Sequence, residues 1–181
     1  MSHHIHPSAQ IASDVHLGPF VMIGPNVRIG AGTRIEGFAS IGTPPEHSDH
    51  FHEEGSHGVR IGTDCVIREF VTVNAGTHRP TTLGDGVAML RGAHAGHDVI
   101  VESGATISCS ALLGGHSWIG EGANVGLGAA IRQYLCVGAY AMVGMNSTVT
   151  RDIPPFMTAY GSPASVSGVN RIGLERAGLD I

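Results

Sequence analysis

The stretch VESGATISCSALLGGHSWIGEGANVGLGAAIRQYLCVGAYAMV, residues 101–143, carries an aliphatic side chain at every sixth position. A period of six fits neither the 3.6-residue turn of an α-helix nor the plain alternation of a β-strand. It fits a chain that alternates inward and outward residues along a short flat side and then turns a corner. Three such sides close a triangular coil of 18 residues, so the stretch predicts a parallel β-solenoid. The aliphatic positions are Val101, Ile107, Leu113, Ile119, Val125, Ile131, Val137 and Val143.

The same repeat extends through most of the chain. A first run covers Ile5–Ile41, a second covers Ile61–Val73 and a third covers Leu83–Val149, which makes 22 repeats. Glycine follows many of the aliphatic residues, as expected where φ turns positive or where two backbones approach closely. Stacked coils should pair like parallel strands, about 4.7–4.9 Å apart. We therefore expect one solenoid domain over residues 1–154.

The segment after Pro155 departs from the repeat. Asn170 precedes the stretch Arg171–Arg176, and Gly178 follows it, a pattern typical of the start and the stop of a helix. An open solenoid end exposes unpaired backbone groups, which some element must cover. We expect a short C-terminal helical extension over residues 155–181 to do so, on an otherwise all-β solenoid.

Composition limits the class of protein and its partners. The chain has 181 residues, of which 42% are hydrophobic and 14% charged, in keeping with one folded domain. All ten basic residues are Arg, they are not clustered and the formal net charge is −5, so we expect no nucleic-acid partner. Three Cys without a CxxC pair predict neither a disulfide framework nor a Cys-type zinc site. With no secretory leader pattern and no apolar run of spanning length, we expect a soluble cytoplasmic protein without a membrane span.

Two insertions interrupt the repeat, and both leave from the same corner of the predicted prism. They contain fourteen and four residues and predict loops near residues 43–58 and 75–80. Loops on a rigid scaffold often carry function. The residues that an 18-residue spacing stacks at this corner are His97, Gly115 and Gln133 in one column and Asp98, His116 and Tyr134 in the next, with His94 on the adjoining side.

This corner predicts general base chemistry. The imidazole of His97 titrates near neutral pH, which suits it to take a proton from an alcohol or an amine. Asp98 follows directly and could orient the ring. One coil above, the N–H of Gly115 could stabilise an oxyanion. These residues favour direct acyl transfer, in which the deprotonated acceptor attacks a thioester carbonyl.

A second column predicts an interface. Ile100, Trp118 and Cys136 take outward positions 18 residues apart and form an apolar stripe on an otherwise polar surface. Exposed apolar patches mark interaction sites. A three-sided prism suits a symmetric trimer, in which the histidine corner would abut a neighbouring subunit.

Four stretches resemble the UDP-N-acetylglucosamine O-acyltransferases of lipid A biosynthesis. They read GAHAGHD at 92–98, LLGGHSWIG at 112–120, AIRQYLCVGAYAMVGM at 130–145 and DIPPFMTAYGSPA at 152–164. The resemblance implies a left-handed coil and a homotrimer with active sites between subunits. It also implies an acyl carrier protein thioester as donor, the 3-hydroxyl of UDP-N-acetylglucosamine or a related UDP-sugar as acceptor, and no metal or other cofactor.

The resemblance also implies roles for individual residues. His97 matches the general base, Gly115 matches the oxyanion donor, and Asp98 accompanies the base. Met145 stands at the position that limits acyl length, where a bulky side chain implies a shorter chain than Gly allows. The family usually has His where this chain has Arg132, and its C-terminal helical domain is longer than the segment after Pro155. The positions that match substrate-binding residues are His94, His116, Arg132, Gln133, Met145, Asn170 and Arg176.

Three other functions fit parts of the pattern. An acetyl-CoA-dependent sugar-nucleotide N-acetyltransferase would use the same scaffold with an acyl-CoA donor. A zinc hydro-lyase resembling the γ-class carbonic anhydrases would need His94, His97 and His116 as ligands. A non-catalytic scaffold would need none of these side chains. The histidines of the longer loop, which we expect to be solvated, are His47, His50, His52 and His57.

Overall fold

The computed structural model describes residues 3–51 and 57–179. Twenty-two short strands wind into stacked coils, and consecutive strands occupy the three faces of a triangular prism in turn. The first face holds His4–Ile5, Met22–Ile23, Ser40–Thr43, Thr72–Asn74, His94–Ala95, Leu112–Leu113, Ala130–Ile131 and Thr148–Val149. The second holds Gln10–Ile11, Arg28–Ile29, Val59–Ile61, Thr81–Leu83, Ile100–Val101, Trp118–Ile119 and Cys136–Val137. The third holds His16–Leu17, Arg34–Ile35, Val66–Ile67, Ala88–Met89, Thr106–Ile107, Asn124–Val125 and Met142–Val143.

The core is the interior of the prism, and the repeat positions fill it. Each strand places its repeat residue inward, and from Ile23 upward these side chains are buried. Residues between the strands, such as Val27, Ala105 and Ala123, supply a second buried layer at the corners. Burial of apolar surface is the main stabilising term of such a core. The predicted left-handed parallel β-helix of hexapeptide repeats is confirmed.

Many corners are made by residues other than glycine in the left-handed backbone region. Their φ angles lie between +53° and +65°. The glycines that follow the repeat residues have another purpose: a Cβ on Gly24, for example, would overlap the carbonyl oxygen of Gly42 in the next coil. Close stacking of coils, rather than positive φ, therefore requires glycine there. The non-glycine corner residues are Phe20, Asn26, Phe38, Asp64, Phe70, Asp98, Ser110, His116, Tyr134, Tyr140, Asn146 and Phe156.

An aromatic column runs along the corner between the third and first faces in the lower half of the prism. The rings of Phe20 and Phe38 stack with centroids 5.1 Å apart, and those of Phe38 and Phe70 stack at 5.3 Å. Each of the three side chains is about half exposed. The column therefore links three coils from outside the core.

A hairpin and a helix follow the last coil at the upper end of the prism. The strands Met157–Gly161 and Ala164–Val169 pair antiparallel, and the first continues the third face beside Met142–Val143. The helix Arg171–Arg176 follows where the sequence predicts it, and the side chain of Asn170 caps its start. The hairpin carries the third face past Pro155, so the division of the chain into 1–154 and 155–181 stays a prediction. No helix among the described residues is long and apolar enough to cross a membrane.

Candidate active site

The corner between the first and second faces gathers the predicted polar residues. Its backbone is held coil to coil: the N–H of His116 donates to the carbonyl oxygen of His97 at 3.0 Å, and that of Tyr134 donates to Gly115 at 3.1 Å. Asp98, His116 and Tyr134 share a left-handed φ of 60–63°, so equivalent side chains stack one above the other. The 18-residue spacing thus brings these residues together as the sequence predicts.

His97 and Asp98 form a buried pair. The Nδ1 atom of His97 lies 2.8 Å from Oδ2 of Asp98, and the two residues are 9% and 0% exposed. Because a carboxylate only accepts, Nδ1 is the donor in this hydrogen bond, and in the neutral ring Nε2 then holds the lone pair. The ring lies against Gly115, where an added Cβ would be only 2.7 Å from Nε2 and 2.8 Å from Cε1. Glycine at position 115 therefore makes room for the ring.

The short loop at residues 75–80 encloses the carboxylate of Asp98. The backbone N–H and the hydroxyl of Thr77 donate to Oδ2 at 3.0 and 2.7 Å, and the backbone N–H groups of His78 and Arg79 donate to Oδ1 at 2.8 and 2.9 Å. Burial alone raises the pKa of Asp98, but hydrogen bonds from Thr77, His97 and His78 outweigh it and hold the pKa well below its usual value. Asp98 is therefore charged at neutral pH.

His116 forms the upper wall of the site. Its ring stacks on Tyr134 with centroids 4.5 Å apart and meets the ring of His97 edge-on at 5.0 Å. Desolvation and the neighbouring His97 and Arg79 lower its pKa, and Asp98 opposes them from 3.7 Å. The ring is consequently neutral at neutral pH and can donate or accept a hydrogen bond.

His94 forms the floor on the first face. Its Nδ1 hydrogen-bonds the hydroxyl of Thr72 at 2.8 Å, and its Nε2 lies 3.8 Å from a carboxylate oxygen of Glu46. Burial lowers the pKa of His94, while Glu46 acts in the opposite direction. The side chain is thus fixed in orientation beside the base.

Two connected clefts open at this corner, and both are lined by Glu46, His97 and Gly115. The larger, about 550 Å³, runs along the first face over the apolar side chain of Leu112. The smaller, about 330 Å³, extends toward Gln133 and includes His116 and Tyr134. A cleft of mixed polar and apolar lining and a more polar cleft thus meet at His97.

The longer loop supplies two residues that the sequence analysis missed. Glu46 lines both clefts, and the ring of His47 meets that of His97 edge-on with centroids 5.5 Å apart. His47 is therefore part of the site instead of a solvated loop residue. Neither residue belongs to the repeat. The one signal in the sequence that places them near the site is that their loop leaves from the histidine corner. His52 falls outside the described residues.

Four predicted substrate-binding residues are not among those that line these clefts. Arg132 and Met145 are exposed, and Met145 is 68% accessible. Arg176 is exposed in the last turn of the helix. The amide of Asn170 accepts from the N–H of Gly173 and donates to the carbonyl of Tyr140, so it is engaged in capping. Their roles toward a substrate stay predictions.

The three histidines that a zinc site would need are not brought together. The group that could hold a metal ion within the described ranges is His97, Asp98 and His116, whose ligand atoms lie within 4.8 Å of one another. His94 is outside this group, with both ring nitrogens directed at other side chains. The Oδ2 atom of Asp98 already accepts three hydrogen bonds. The arrangement fits an oriented base better than a zinc ligand set.

Comparison with known proteins identifies relatives along the whole chain. A family model described as bacterial transferase hexapeptide (six repeats) matches residues 2–43, and one described as UDP-N-acetylglucosamine O-acyltransferase, domain 2, matches residues 152–181. A curated acyl-[acyl-carrier-protein]–UDP-N-acetylglucosamine O-acyltransferase of Rhizobium johnstonii is 34% identical over 98% of this chain and 65% of its own length. The Synechocystis enzyme of the same name is 37% identical over 82% of this chain and 54% of its own length.

Solved structures of similar proteins share the architecture. LpxA from Acinetobacter baumannii matches 98% of this chain and 76% of its own with a TM-score of 0.87 and 32% identity. The UDP-N-acetylglucosamine acyltransferase from Campylobacter jejuni matches 95% of this chain and 77% of its own with a TM-score of 0.73 and 31% identity. This chain spans 54–65% of the length of the first curated relatives.

Proposed function

This chain belongs to the UDP-N-acetylglucosamine O-acyltransferase family, and from this premise we propose that it moves an acyl group from an acyl carrier protein thioester to the 3-hydroxyl of UDP-N-acetylglucosamine or a related UDP-sugar. The observation that carries the proposal is the ring of His97. Asp98 accepts a hydrogen bond from its Nδ1, and the ring lies beside Gly115 in the lining of both clefts.

The geometry supports a direct attack. The lone pair on Nε2 of His97 takes the proton of the sugar hydroxyl as its oxygen bonds to the thioester carbonyl carbon. The carbonyl oxygen becomes an oxyanion, and the N–H of Gly115 is available to it because it donates no hydrogen bond to another described residue. When the carbon–sulfur bond breaks, His97 returns the proton to the departing thiolate. The products are the acyl ester and the free thiol.

Neutral histidines around the base suit an acceptor sugar. His94 and His116 both have a lowered pKa, so near pH 7 they offer hydrogen bonds without adding positive charge beside His97. A second cation there would disfavour the protonated form that His97 adopts during the reaction. We assign these two residues and Gln133 to binding of the sugar, in the smaller cleft and at its junction with the larger.

A homotrimer would complete the site. The clefts are open on the outside of a single prism, and Ile100, Trp118 and Cys136 form a stripe on the second face next to the histidine corner. A neighbouring subunit on this stripe would wall the clefts and bring its own residues to them. The candidates to bind donor or nucleotide across this interface are then the four residues that do not line the clefts: Arg132, Met145, Asn170 and Arg176. Cytoplasmic localisation stays a prediction.

The test is release of free thiol from a panel of donors. Acyl carrier proteins bearing short, medium and long acyl chains, and acetyl-CoA, are each combined with UDP-N-acetylglucosamine and with a UDP-amino sugar. We expect turnover of an acyl carrier protein donor with UDP-N-acetylglucosamine. His97→Ala should lose about 10²–10⁴-fold in kcat, the usual contribution of a general base.

The matched control is His16→Ala, an exposed histidine on the third face that should leave turnover unchanged. Turnover of acetyl-CoA alone with the amino sugar would replace the proposal with N-acetyl transfer. Full activity of His97→Ala would show that His97 is not the general base.

A further inference from the structure

We propose that Thr77 is a positioning residue that sets the charge which Asp98 presents to His97, and that the loop at residues 75–80 clamps this carboxylate. The inference rests on the function proposed above and deepens it. It assigns a role to a loop that neither the repeat nor the two clefts explain, since none of residues 75–79 lines them.

The clamp satisfies a carboxylate that has no exposed surface. Four of the five donors to the Asp98 oxygens come from Thr77, His78 and Arg79, and three of these are backbone N–H groups. The fifth donor is His97 itself. A buried charge is tolerated only when it is fully hydrogen-bonded. The loop therefore supplies four of the hydrogen-bond donors that the buried Asp98 carboxylate needs.

The loop also fixes the backbone of Asp98. The guanidinium of Arg79 donates to the Asp98 carbonyl through Nε at 3.3 Å and Nη2 at 3.1 Å, and the Asp98 N–H donates to the hydroxyl of Thr81 at 2.9 Å. Asp98 is thereby held at φ +60°, a region that few residues with a Cβ adopt. The loop is tight, because a Cβ on Gly76 would overlap the carbonyl oxygen of Arg79.

In the clamp, the side chain of Thr77 donates to Oδ2 of Asp98, the oxygen that His97 contacts. Its hydroxyl donates to Oδ2 at 2.7 Å, and the same oxygen accepts the Nδ1–H of His97 at 2.8 Å. A second donor on that oxygen disperses its negative charge and weakens its pull on an imidazolium. Loss of the hydroxyl should therefore favour the protonated form of His97 and change the angle at which the ring is held.

Other groups face His97 and stay constant in this comparison. They are the rings of His47 and His116, the carboxylate of Glu46 across the cleft, and the guanidinium of Arg79 on the Asp98 carbonyl. A substitution at position 77 changes none of these side chains. The effect on His97 can thus be assigned to the oxygen that it shares with Thr77.

The experiment compares Thr77→Val, which keeps the shape but removes the donor, with Thr77→Ser, which keeps the donor. Thr82→Val is the matched control, because its hydroxyl donates to the carbonyl of Pro80 in the same loop and touches neither Asp98 nor His97. Two quantities are measured: the titration midpoint of the His97 ring by NMR of histidine-labelled protein, assigned with His97→Gln, and kcat and KM against pH.

In Thr77→Val we expect the midpoint and the acidic limb of kcat/KM to move up by about half to one pH unit, because one hydrogen bond to the charged oxygen is gone. We expect kcat to fall about tenfold with KM within about twofold, since only the orientation of the base changes. Thr77→Ser should restore both, and Thr82→Val should leave both at their wild-type values.

A folded Thr77→Val with wild-type midpoint and wild-type kcat overturns the proposal, as does an equal shift in Thr82→Val. If wild-type protein turns over none of the donors, the proposed function fails, and the NMR midpoint still decides whether Thr77 acts on His97.

Discussion

At the scale of single residues, Asp98 is a charged carboxylate with no exposed surface. It is buried, it takes a left-handed backbone conformation and its two oxygens accept five hydrogen bonds. Its pKa in the folded chain lies below that of an unfolded aspartate, about 3.9. Such a group stabilises the fold fully above the unfolded pKa, and the contribution is lost as the pH falls toward the folded pKa.

Asp98→Asn should make folding less stable at neutral pH and less sensitive to acid. We expect the free energy of unfolding at pH 7 to fall by about 3 kcal/mol, because an amide cannot accept from all five donors and one oxygen is replaced by a donor. Below about pH 4 the difference from wild type should shrink, since the wild-type carboxylate then loses its advantage.

Urea unfolding followed by circular dichroism from pH 7 to pH 3 measures this. The control is Asp85→Asn, an exposed aspartate that accepts one backbone hydrogen bond from Thr63. Parallel stability curves for wild type and Asp98→Asn would contradict the assigned role of the charge.

The residues that the sequence identified at this scale are those that obey the period. His97, Gly115, Asp98 and His116 stack because 18 residues make one coil. The residues that it missed, Glu46, His47, Thr77 and Arg79, lie in insertions, where no periodicity relates sequence position to place. Their contacts depend on loop conformation, which the pattern of apolar residues does not encode.

At the scale of elements, the repeat predicts the strands. It does not predict which residues form the corners, or the hairpin at the upper end. All 22 repeat positions lie in strands, because one aliphatic residue per flat side is enough to define a face. The hairpin Met157–Gly161 and Ala164–Val169 was not predicted, although Thr, Tyr and Val around a Gly-Ser-Pro turn are typical of one. The aromatic corners were missed because a bulky residue at positive φ runs against its backbone preference.

The column Phe20–Phe38–Phe70 should stabilise the lower coils. Stacked rings contribute about 0.5–1.5 kcal/mol beyond the area they bury, and Phe38 makes two such contacts. We expect Phe38→Ala to lower the free energy of unfolding by about 1–3 kcal/mol, measured by urea unfolding.

The control is Phe51→Ala. Phe51 is 56% exposed, close to the 52% of Phe38, and its ring stacks on none of the other described rings, so its loss should cost little. Equal effects of the two substitutions would show that ring stacking contributes nothing at this corner.

At the scale of the whole molecule, the second face carries the apolar stripe that we predict to be a subunit interface. Ile100, Trp118 and Cys136 stand in register on adjacent strands, and Trp118 is 48% exposed. A vertical apolar stripe of this kind on a rigid flat face is well suited to packing against a second copy of the chain. Ile100, the first residue of the stripe, lies in the same coil as His97, so a subunit contact on the stripe would be next to the catalytic corner.

Trp118→Glu should dissociate the proposed trimer and reduce turnover. A charge in the centre of an apolar contact loses its hydration without gaining a partner. We expect the mass measured by light scattering to fall from three chains to one. Leu127→Glu is the control, because Leu127 is apolar and 53% exposed but lies at the corner between the third and first faces, away from the stripe. An unchanged mass for Trp118→Glu would rule out this stripe as the contact.

The 18-residue coil is also a unit of length for the molecule. Removing or adding one whole coil below the catalytic corner would shift the rest of the prism by one strand spacing, about 4.8 Å, and leave every side chain on its own face. Removing six residues would instead turn the rest of the prism by about one third of a revolution. Each surface side chain above the deletion would then lie on a neighbouring face. The distance of the catalytic corner from the lower end of the prism can therefore change only by whole coils. Related chains can drift in length by these steps while the chemistry at the corner stays the same.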